Sequence, residues 1–502
     1  MGKEMYIVSI DVGTTNTKVC LYELPAFRLI EIEKFATPQT FENGKTDIDA
    51  EQIWREVLQA LKNICNRLED SQQIKQITVS SFAQTIVLQD SQGEVITPTI
   101  AWFDPRTKRE AEEVNDSFGE EKLYHRTGIN AHSNQSLTKL LWLRRYKKSA
   151  FQRMHKWTCM SGFIASRLTG IYATDWSLAS RTLLFDIGKK KWAAKLIKTF
   201  DLDKKTFPEL VESGAAIAAV KDSVSKETGL SKDVTISISG HDHMAGSIST
   251  GLKKKTEILN STGTTEGLLL LGEKPNLSDT FRKFAISNGC YVIDSEYTLY
   301  GSMPTAGQSF NWIAKAFNRD LTDIAEMCHQ VHEEYVSDFA SIMDRMQVFI
   351  PHLRGSGPPI RNSASKVMIY GATDQSTDHD MLFSMIAGLC FELKQLKNVY
   401  ETYVESNIQR IKVIGPAVKN PLWLQLKADI LQSDILAYEI EEAVAKGGAM
   451  LSASKQGLVD TLPEPEIKIY TPNKDRAEVL DDFYKKFYLP LYHLKNHFED
   501  KE

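Results

Sequence analysis

Tyr6-Ile-Val-Ser-Ile-Asp11-Val-Gly13-Thr14-Thr15-Asn-Thr17-Lys18-Val-Cys-Leu-Tyr22 is the stretch on which the fold turns. Tyr6 to Asp11 reads as a strand and Thr17 to Tyr22 as its hairpin partner, because β-branched and apolar residues flank a small-residue turn. The turn recurs as Gly263-Thr264-Thr265, where Thr256-Glu-Ile-Leu-Asn260 and Leu268-Leu-Leu-Leu271 repeat the plan. One Gly-Thr-Thr is consistent with an ordinary hairpin turn, whereas two copies in matching strand contexts carry architectural meaning. Glycine lets the backbone approach an anion closely, and threonine hydroxyls and amide N–H groups supply donors. Two such turns therefore suit a polyphosphate gripped from both sides. Asp11 in the first copy is placed to hold a magnesium-bound water. Ser261 stands there in the second, so the two halves have different jobs.

Working outward, Asp49-Ala-Glu-Gln-Ile-Trp-Arg-Glu-Val-Leu-Gln-Ala-Leu61 carries an Asp cap, a Gln three residues on and apolar positions at Ile53, Trp54, Val57, Leu58 and Leu61, which predicts an amphipathic helix. Ile77 to Ser81 and Ile86 to Gln89 read as strands, so strands and helices alternate as in α/β domains. Helices are expected at Leu422 to Leu431 and Ala443 to Ser454, the latter with small residues that permit close packing. The boundary is expected near 246–256, giving a first domain over 5–248, a second over 255–456 and a helical tail over 457–502.

The 502 residues, 42% hydrophobic and 25% charged, suit an ordinary globular protein of two or three domains. Sixty Lys and Arg against 65 Asp and Glu, a formal charge of −5, with no long basic run, argue against nucleic acid or an anionic membrane as the main partner. Six scattered cysteines without a Cys-x-x-Cys pair, and no signal pattern, point to a reducing, cytoplasmic location. No apolar run approaches the roughly 20 residues of a spanning helix, and no myristoylation signal follows Met1-Gly2.

Gly240-His241-Asp242-His243 follows the alternation Val234-Thr-Ile-Ser-Ile-Ser239. Asp242 is thus expected at a strand's C-terminal end beside the domain boundary, where α/β proteins bind ligands; the alternative is a helix cap before Met244. His241 and His243 point to opposite faces if extended, and no third spaced ligand is evident, so zinc is not indicated. Trp102-Phe103-Asp104-Pro105-Arg106 gathers an aromatic face, a carboxylate and a guanidinium in one loop, which suits a polyol; the alternative is a core tryptophan beside a surface ion pair.

Together these segments resemble the FGGY family of carbohydrate kinases, from about residue 6 to 456. Asp11-Val-Gly-Thr-Thr-Asn-Thr-Lys18 is similar to the family's first phosphate loop, Ser261-Thr-Gly-Thr-Thr265 to its second and Gly240-His-Asp242 to its base motif. Ala173-Thr-Asp-Trp-Ser-Leu-Ala-Ser-Arg-Thr-Leu-Leu-Phe185, Pro351-His-Leu-Arg-Gly355 and Glu442-Ala-Val-Ala-Lys-Gly-Gly-Ala449 resemble further family segments in the same order. The resemblance implies an α/β fold of two actin- and ribonuclease-H-like domains with a catalytic cleft between them. It implies ATP and Mg²⁺ as cofactors, Asp242 as the base, Asp11 toward the metal, and Gly13, Thr14, Thr15, Gly263, Thr264 and Thr265 at the phosphates. Gly307, Asn311, Gly415, Ala417 and Asn420 would line the adenosine pocket. Homodimers are common in such families.

Departures bear on specificity. The adenosine loop, usually Gly-Gly-Ala, reads Gly415-Pro416-Ala417, and proline removes an N–H and fixes a backbone angle, so altered nucleotide affinity or base preference is expected. The Met-His pair of xylulose kinases reads Ala83-Gln84, and the aromatic that glycerol kinases place before Thr138-Lys139 reads Asn134. Gln84, Trp102, Asp104, Asn134, Asp242 and His243 are expected to contact a polyhydroxylated, hydrogen-bond-rich substrate. A pentulose such as xylulose leads, with gluconate, glycerol or another polyol as alternatives. Readings of another class are an actin-like ATPase and a non-catalytic sugar sensor.

Overall fold

The computed structural model describes residues 4–253, 255–293 and 296–499; Met1-Gly2 and the last three residues of the expected tail lie outside the described residues. Strands β1 (Met5–Val12) and β2 (Asn16–Leu24) form the first hairpin, and β3 (Arg28–Ala36) pairs antiparallel on β2. Helix α1 (Ala50–Arg67) leads to β4 (Ile74–Ser81), which runs parallel to β1. The Asp49 side chain accepts from Gln52 N at 2.9 Å, and Ile53, Val57, Leu61 and Ile64 form the buried stripe, three and four residues apart. After α2 (Met160–Thr169), β5 (Ala216–Ala219) and β6 (Thr235–His241) complete the sheet in the order β5-β6-β4-β1-β2-β3.

Helix α3 (Asp242–Ile248) leaves β6 directly, and the second sheet begins with the hairpin β7 (Glu257–Thr262) and β8 (Glu266–Gly272). With β9 (Ser287–Cys290), β10 (Tyr297–Met303), β11 (Arg410–Ile414), β12 (Asp434–Ala437) and β13 (Lys468–Tyr470) it runs β9-β10-β8-β7-β11-β12-β13. An antiparallel strand flanks the hairpin on one side and two parallel strands on the other, as in the first sheet. The duplicated turn therefore marks a duplicated ribonuclease-H-like sheet. The copies differ in length: Val12 pairs with Thr17, but Thr262 pairs with Glu266.

Strand alternation decides what faces the space between the halves. In β1, Tyr6, Val8 and Ile10 join the core under α1 and α2, while Ile7 joins the central core between the sheets, so Ser9 and Asp11 share its direction. In β7, Leu259 joins that central core and Ser261 follows it. Helices α4 (Gly307–Ala316), α5 (Leu321–Ser337), α6 (Asp378–Val404) and α7 (Pro421–Leu431) cover the outer face of the second sheet, and α8 (Ala443–Lys455) inserts centrally against α3. A Cβ on Gly447 would stand 2.0 Å from Ala245 O, and one on Gly448 2.7 Å from Ser239 Oγ, so glycine alone allows this approach. The Ser-Ile-Ser alternation of β6 thus has no solvent face. Its serines are buried beneath α8, with Ser237 Oγ donating to Ser452 Oγ at 3.1 Å.

The expected helical tail is only partly helical. Lys468–Tyr470 adds the edge strand β13 antiparallel to β12, and the helices Lys474–Phe483 and Leu489–Glu499 then return over α6, where Phe391 meets Tyr488 at 4.9 Å between ring centroids. Among the described residues no helix is long and apolar enough to cross a membrane, and all six cysteines are buried and free.

Candidate active site

Asp11 ends β1 at the floor of the space between the halves. Its Oδ1 is buried with no hydrogen-bond partner among the described residues, and Lys18 Nζ lies 4.0 Å from its Oδ2 while ion-pairing with Glu442 before α8. Burial pushes the Asp11 carboxyl up to about 7; Lys18 opposes this, and Asp242 and Glu442 add repulsion. A buried carboxylate with an unsatisfied oxygen fits a hydrated divalent cation. Beside it the first turn is tight: Gly13 N donates to Asn16 O at 3.2 Å, and Thr37 braces it by donating from N to Thr15 O at 3.0 Å and from Oγ1 to Gly13 O at 2.6 Å. Trp102 Nε1 donates to Thr14 Oγ1 at 3.0 Å. The tryptophan expected at the sugar is therefore fastened to the first turn.

The second turn supports α4. Gly263 N donates to Thr265 O at 2.9 Å, Gly307 N to Gly263 O at 3.0 Å and Gln308 N to Thr264 O at 3.3 Å. A Cβ on Gly307 would meet Gly263 O at 2.4 Å, which explains the glycine. Behind this turn opens a largely apolar cavity of about 230 Å³ whose walls include Gly263, Gly307, Asn311, Ala417, Asn420 and Trp423. Its character suits a planar heterocycle bearing a few polar groups. Gly415 stands at φ +92° with its would-be Cβ 2.0 Å from Thr262 O, and shapes the loop rather than the wall. Asn420 caps α7, its Oδ1 accepting from Trp423 N at 3.0 Å. Pro416 opens the short 3₁₀ turn Pro416–Lys419. A first-turn N–H has no partner within its own helix, so the missing donor costs the loop little.

Asp242 stands at the strand end, as the first reading expects, but it does not cap the helix: β6 ends at His241, which is the cap residue, and α3 begins at Asp242. Because the backbone turns there, His241 and His243 do not diverge as an extended strand predicts. Their rings approach to 5.4 Å, and ligand atoms of both and of Asp242 lie within 4.8 Å of one another. Asp242 Oδ1 is already engaged, accepting from His243 N at 2.6 Å with His241 Nε2 at 3.2 Å. Burial holds the His241 imidazole down near 3, so it faces the carboxylate as a neutral ring. His243 is steadied by Ser261 Oγ at 2.9 Å from Nδ1 and by Tyr300 OH at 3.4 Å from Nε2.

Among the residues expected at the sugar, Gln84 takes φ +70°, and Thr85 N closes a three-residue turn onto Ala83 O at 2.9 Å. That left-handed turn is sparsely populated for a non-glycine residue. Asp104 departs from its expected role. Both oxygens are committed, accepting from Arg106 N and Nε at 2.8 Å each, from Arg106 NH2 at 2.7 Å and from Thr46 N. Burial alone would raise its carboxyl, but these bonds hold it below the usual range, so it clamps the loop that carries Trp102. Asn134 is held by its carbonyl, which accepts from the fully buried Lys139 Nζ at 2.6 Å, leaving its side-chain oxygen buried and without a partner among the described residues.

The structure thus gathers Asp11, the first turn and Trp102 into one group, and the second turn, Gly307, Asn311, Ala417 and Asn420 into another. Sequence reasoning passed over Lys18 with Glu442, Tyr300, and two cations near Asn134, Arg181 and Arg361. Arg181 lay in a quoted segment; nothing in the chain order announced Arg361.

Residues 6–249 match the profile of the FGGY family of carbohydrate kinases, N-terminal domain, and residues 258–455 that of its C-terminal domain. The xylulose kinase of Lactococcus lactis subsp. lactis (strain IL1403) is 25% identical over 466 residues, covering 91% of this chain and 89% of the relative. The gluconokinase of Bacillus subtilis (strain 168) is 22% identical over 488 residues, covering 94% and 93%. The crystal structure of ligand-bound xylulose kinase from Lactobacillus acidophilus superposes with a TM-score of 0.87 at 22% identity over 99% of this chain and 98% of that one.

Proposed function

The chain belongs to the FGGY family of carbohydrate kinases, and on that premise we propose how its cleft works. The protein is an ATP-dependent sugar kinase that moves the γ-phosphoryl group of ATP to a hydroxyl of a small sugar. Asp242 accepts the proton of that hydroxyl as its oxygen bonds to the γ-phosphorus, the bond from phosphorus to the bridging β–γ oxygen breaks, and ADP leaves. Asp242 is a partly accessible carboxylate of the cleft, and neutral His241 and the His243 amide aim it. The Gly13 and Gly263 turns offer donors to the phosphates from opposite halves, and the cavity beside Gly307 and Asn420 takes the adenosine. Asp11 would hold Mg²⁺ through water, and the ion would screen phosphate charge. Closing the halves excludes water, which competes with the sugar for the phosphoryl group.

The observation that carries this reading is the pairing of two equivalent turns, one beside Asp11 and one beside the apolar cavity, with Asp242 at the junction of the halves. For the acceptor, relatedness puts a pentulose of the xylulose kind first, ahead of gluconate and of glycerol or another polyol. A coupled ADP-release assay with Mg-ATP and a panel of ketoses, polyols and sugar acids tests it. Acceptor-dependent release supports the kinase; release without any acceptor would mark an actin-like ATPase, and none at all a sugar sensor.

A further inference from the structure

Relatedness and charge disagree about the acceptor. Arg181 follows the short helix Trp176–Ala179 and is fastened on two sides, by Leu137 N donating to Thr182 O at 3.0 Å and Cys290 N donating to Ser180 Oγ at 3.2 Å. It is 7% exposed, and its Nε is buried with no partner among the described residues. The helix before it packs on the Asp242 segment, Ser177 Oγ accepting from His241 N at 2.9 Å, which places Arg181 on the Asp242 side of the cleft. Arg361 comes from the loop after Pro351-His-Leu-Arg-Gly355 in the second half and crosses to the first, its NH2 lying 3.2 Å from His132 Nε2. His132 adjoins Asn134, and burial, then Arg361, holds its ring neutral, down near 4. Among the described residues neither guanidinium has a carboxylate within ion-pair distance. Of the acids nearby, Asp104 is consumed by Arg106, and Asp242 is needed for the proton.

A guanidinium that is nine-tenths buried and unpaired is costly, because desolvation is not repaid by an opposite charge. Guanidinium groups match the planar, two-oxygen geometry of a carboxylate. A negative acceptor entering a cleft that already holds Asp242 and a polyphosphate also requires local positive charge. We infer that Arg181 and Arg361, beside Asn134, form an anion subsite for the end of the acceptor remote from Asp242, and that the acceptor class is a small sugar acid. This rests on the kinase reading and narrows it from sugars in general to polyhydroxylated carboxylates.

The test compares D-gluconate and a pentonate with D-xylulose and glycerol on the wild type, Arg361→Gln and Arg181→Lys. Arg361 is exposed, so its variant keeps the fold, checked by thermal melting. The expected result is a kcat/KM for a sugar acid about tenfold or more above either neutral acceptor. Arg361→Gln should raise the acid KM about tenfold to a hundredfold, the effect of losing a hydrogen bond to a charged group, while the glycerol KM moves less than about threefold. Arg181→Lys should keep part of the acid preference. A neutral acceptor that outperforms every acid, a sugar monophosphate that outperforms them, or an equal effect of Arg361→Gln on acid and neutral acceptors would overturn the subsite. If no acceptor releases ADP, the kinase reading fails, and calorimetric titration with gluconate decides the subsite alone. Binding weakened in Arg361→Gln upholds it, and no binding overturns it.

Discussion

His243 Nδ1 lies 2.9 Å from Ser261 Oγ. The first residue belongs to the helix that begins at Asp242, and the second occupies in β7 the position that Asp11 occupies in β1. The pseudo-symmetric counterpart of the Asp11 carboxylate is thus a hydroxyl that ties the Asp242 segment to the second hairpin. The duplicated sheets have divided their labour at this pair.

Asp242→Asn removes the proposed proton acceptor and leaves the turns and the apolar cavity untouched. Turnover is expected to fall about 10²- to 10⁴-fold, the usual contribution of a general base, with ATP binding nearly unchanged by calorimetry. Turnover near the wild-type rate would remove Asp242 from the chemistry.

Asp11 gives a pH signature in metal-free buffer. Its folded value, about 7, lies above its ordinary value of 3.8. Its contribution to stability is therefore fully present below the unfolded value and is lost as pH rises toward the folded one. Asp11→Asn, uncharged throughout, should be the more stable protein at pH 8, by about 2–4 kcal/mol, and that advantage should shrink by about 2–3 kcal/mol at pH 5. Urea unfolding at the two pH values measures it; an advantage independent of pH would mean that Asp11 does not titrate in this range.

Pro416 opens a 3₁₀ turn that lines the apolar cavity proposed for the adenosine. Pro416→Gly should raise the nucleotide KM more than the sugar KM and lower stability by about 0.4–1 kcal/mol through greater freedom of the unfolded chain. Steady-state kinetics with each substrate varied separately decide this. A larger change in sugar KM would show that the loop serves the other side of the cleft.

Asp104→Asn breaks a buried ion pair with Arg106, whose NH2 retains Asp47 at 2.9 Å. Loss of stability of about 2–4 kcal/mol is expected, with a higher sugar KM because the loop bearing Trp102 loosens. A melting point unchanged from the wild type, with only the sugar KM altered, would return Asp104 to direct contact with substrate.

Hairpins and helices were legible where short-range chemistry decides them. The Gly-Thr-Thr turns, the Asp49 cap and the stripe from Ile53 to Leu61 need only neighbours three or four residues away, and the order of motifs carried the family. Other features were not legible because their partners are remote in the chain. Asp104 reads as a free carboxylate until Thr46 and Arg106 close on it. His241 and His243 read as opposed until the strand ends between them. The alternation of β6 does not announce that its serines are buried beneath the glycines of α8. Sequence alone thus determined the local conformations and the duplicated Gly-Thr-Thr turns, because each follows from the residues at hand. Only the tertiary structure decided which charges meet. It spent Asp104 on Arg106 and left Arg181 buried with no opposite charge among the described residues, because electrostatic pairing depends on distance in space and on exclusion of water, neither of which is written in chain order.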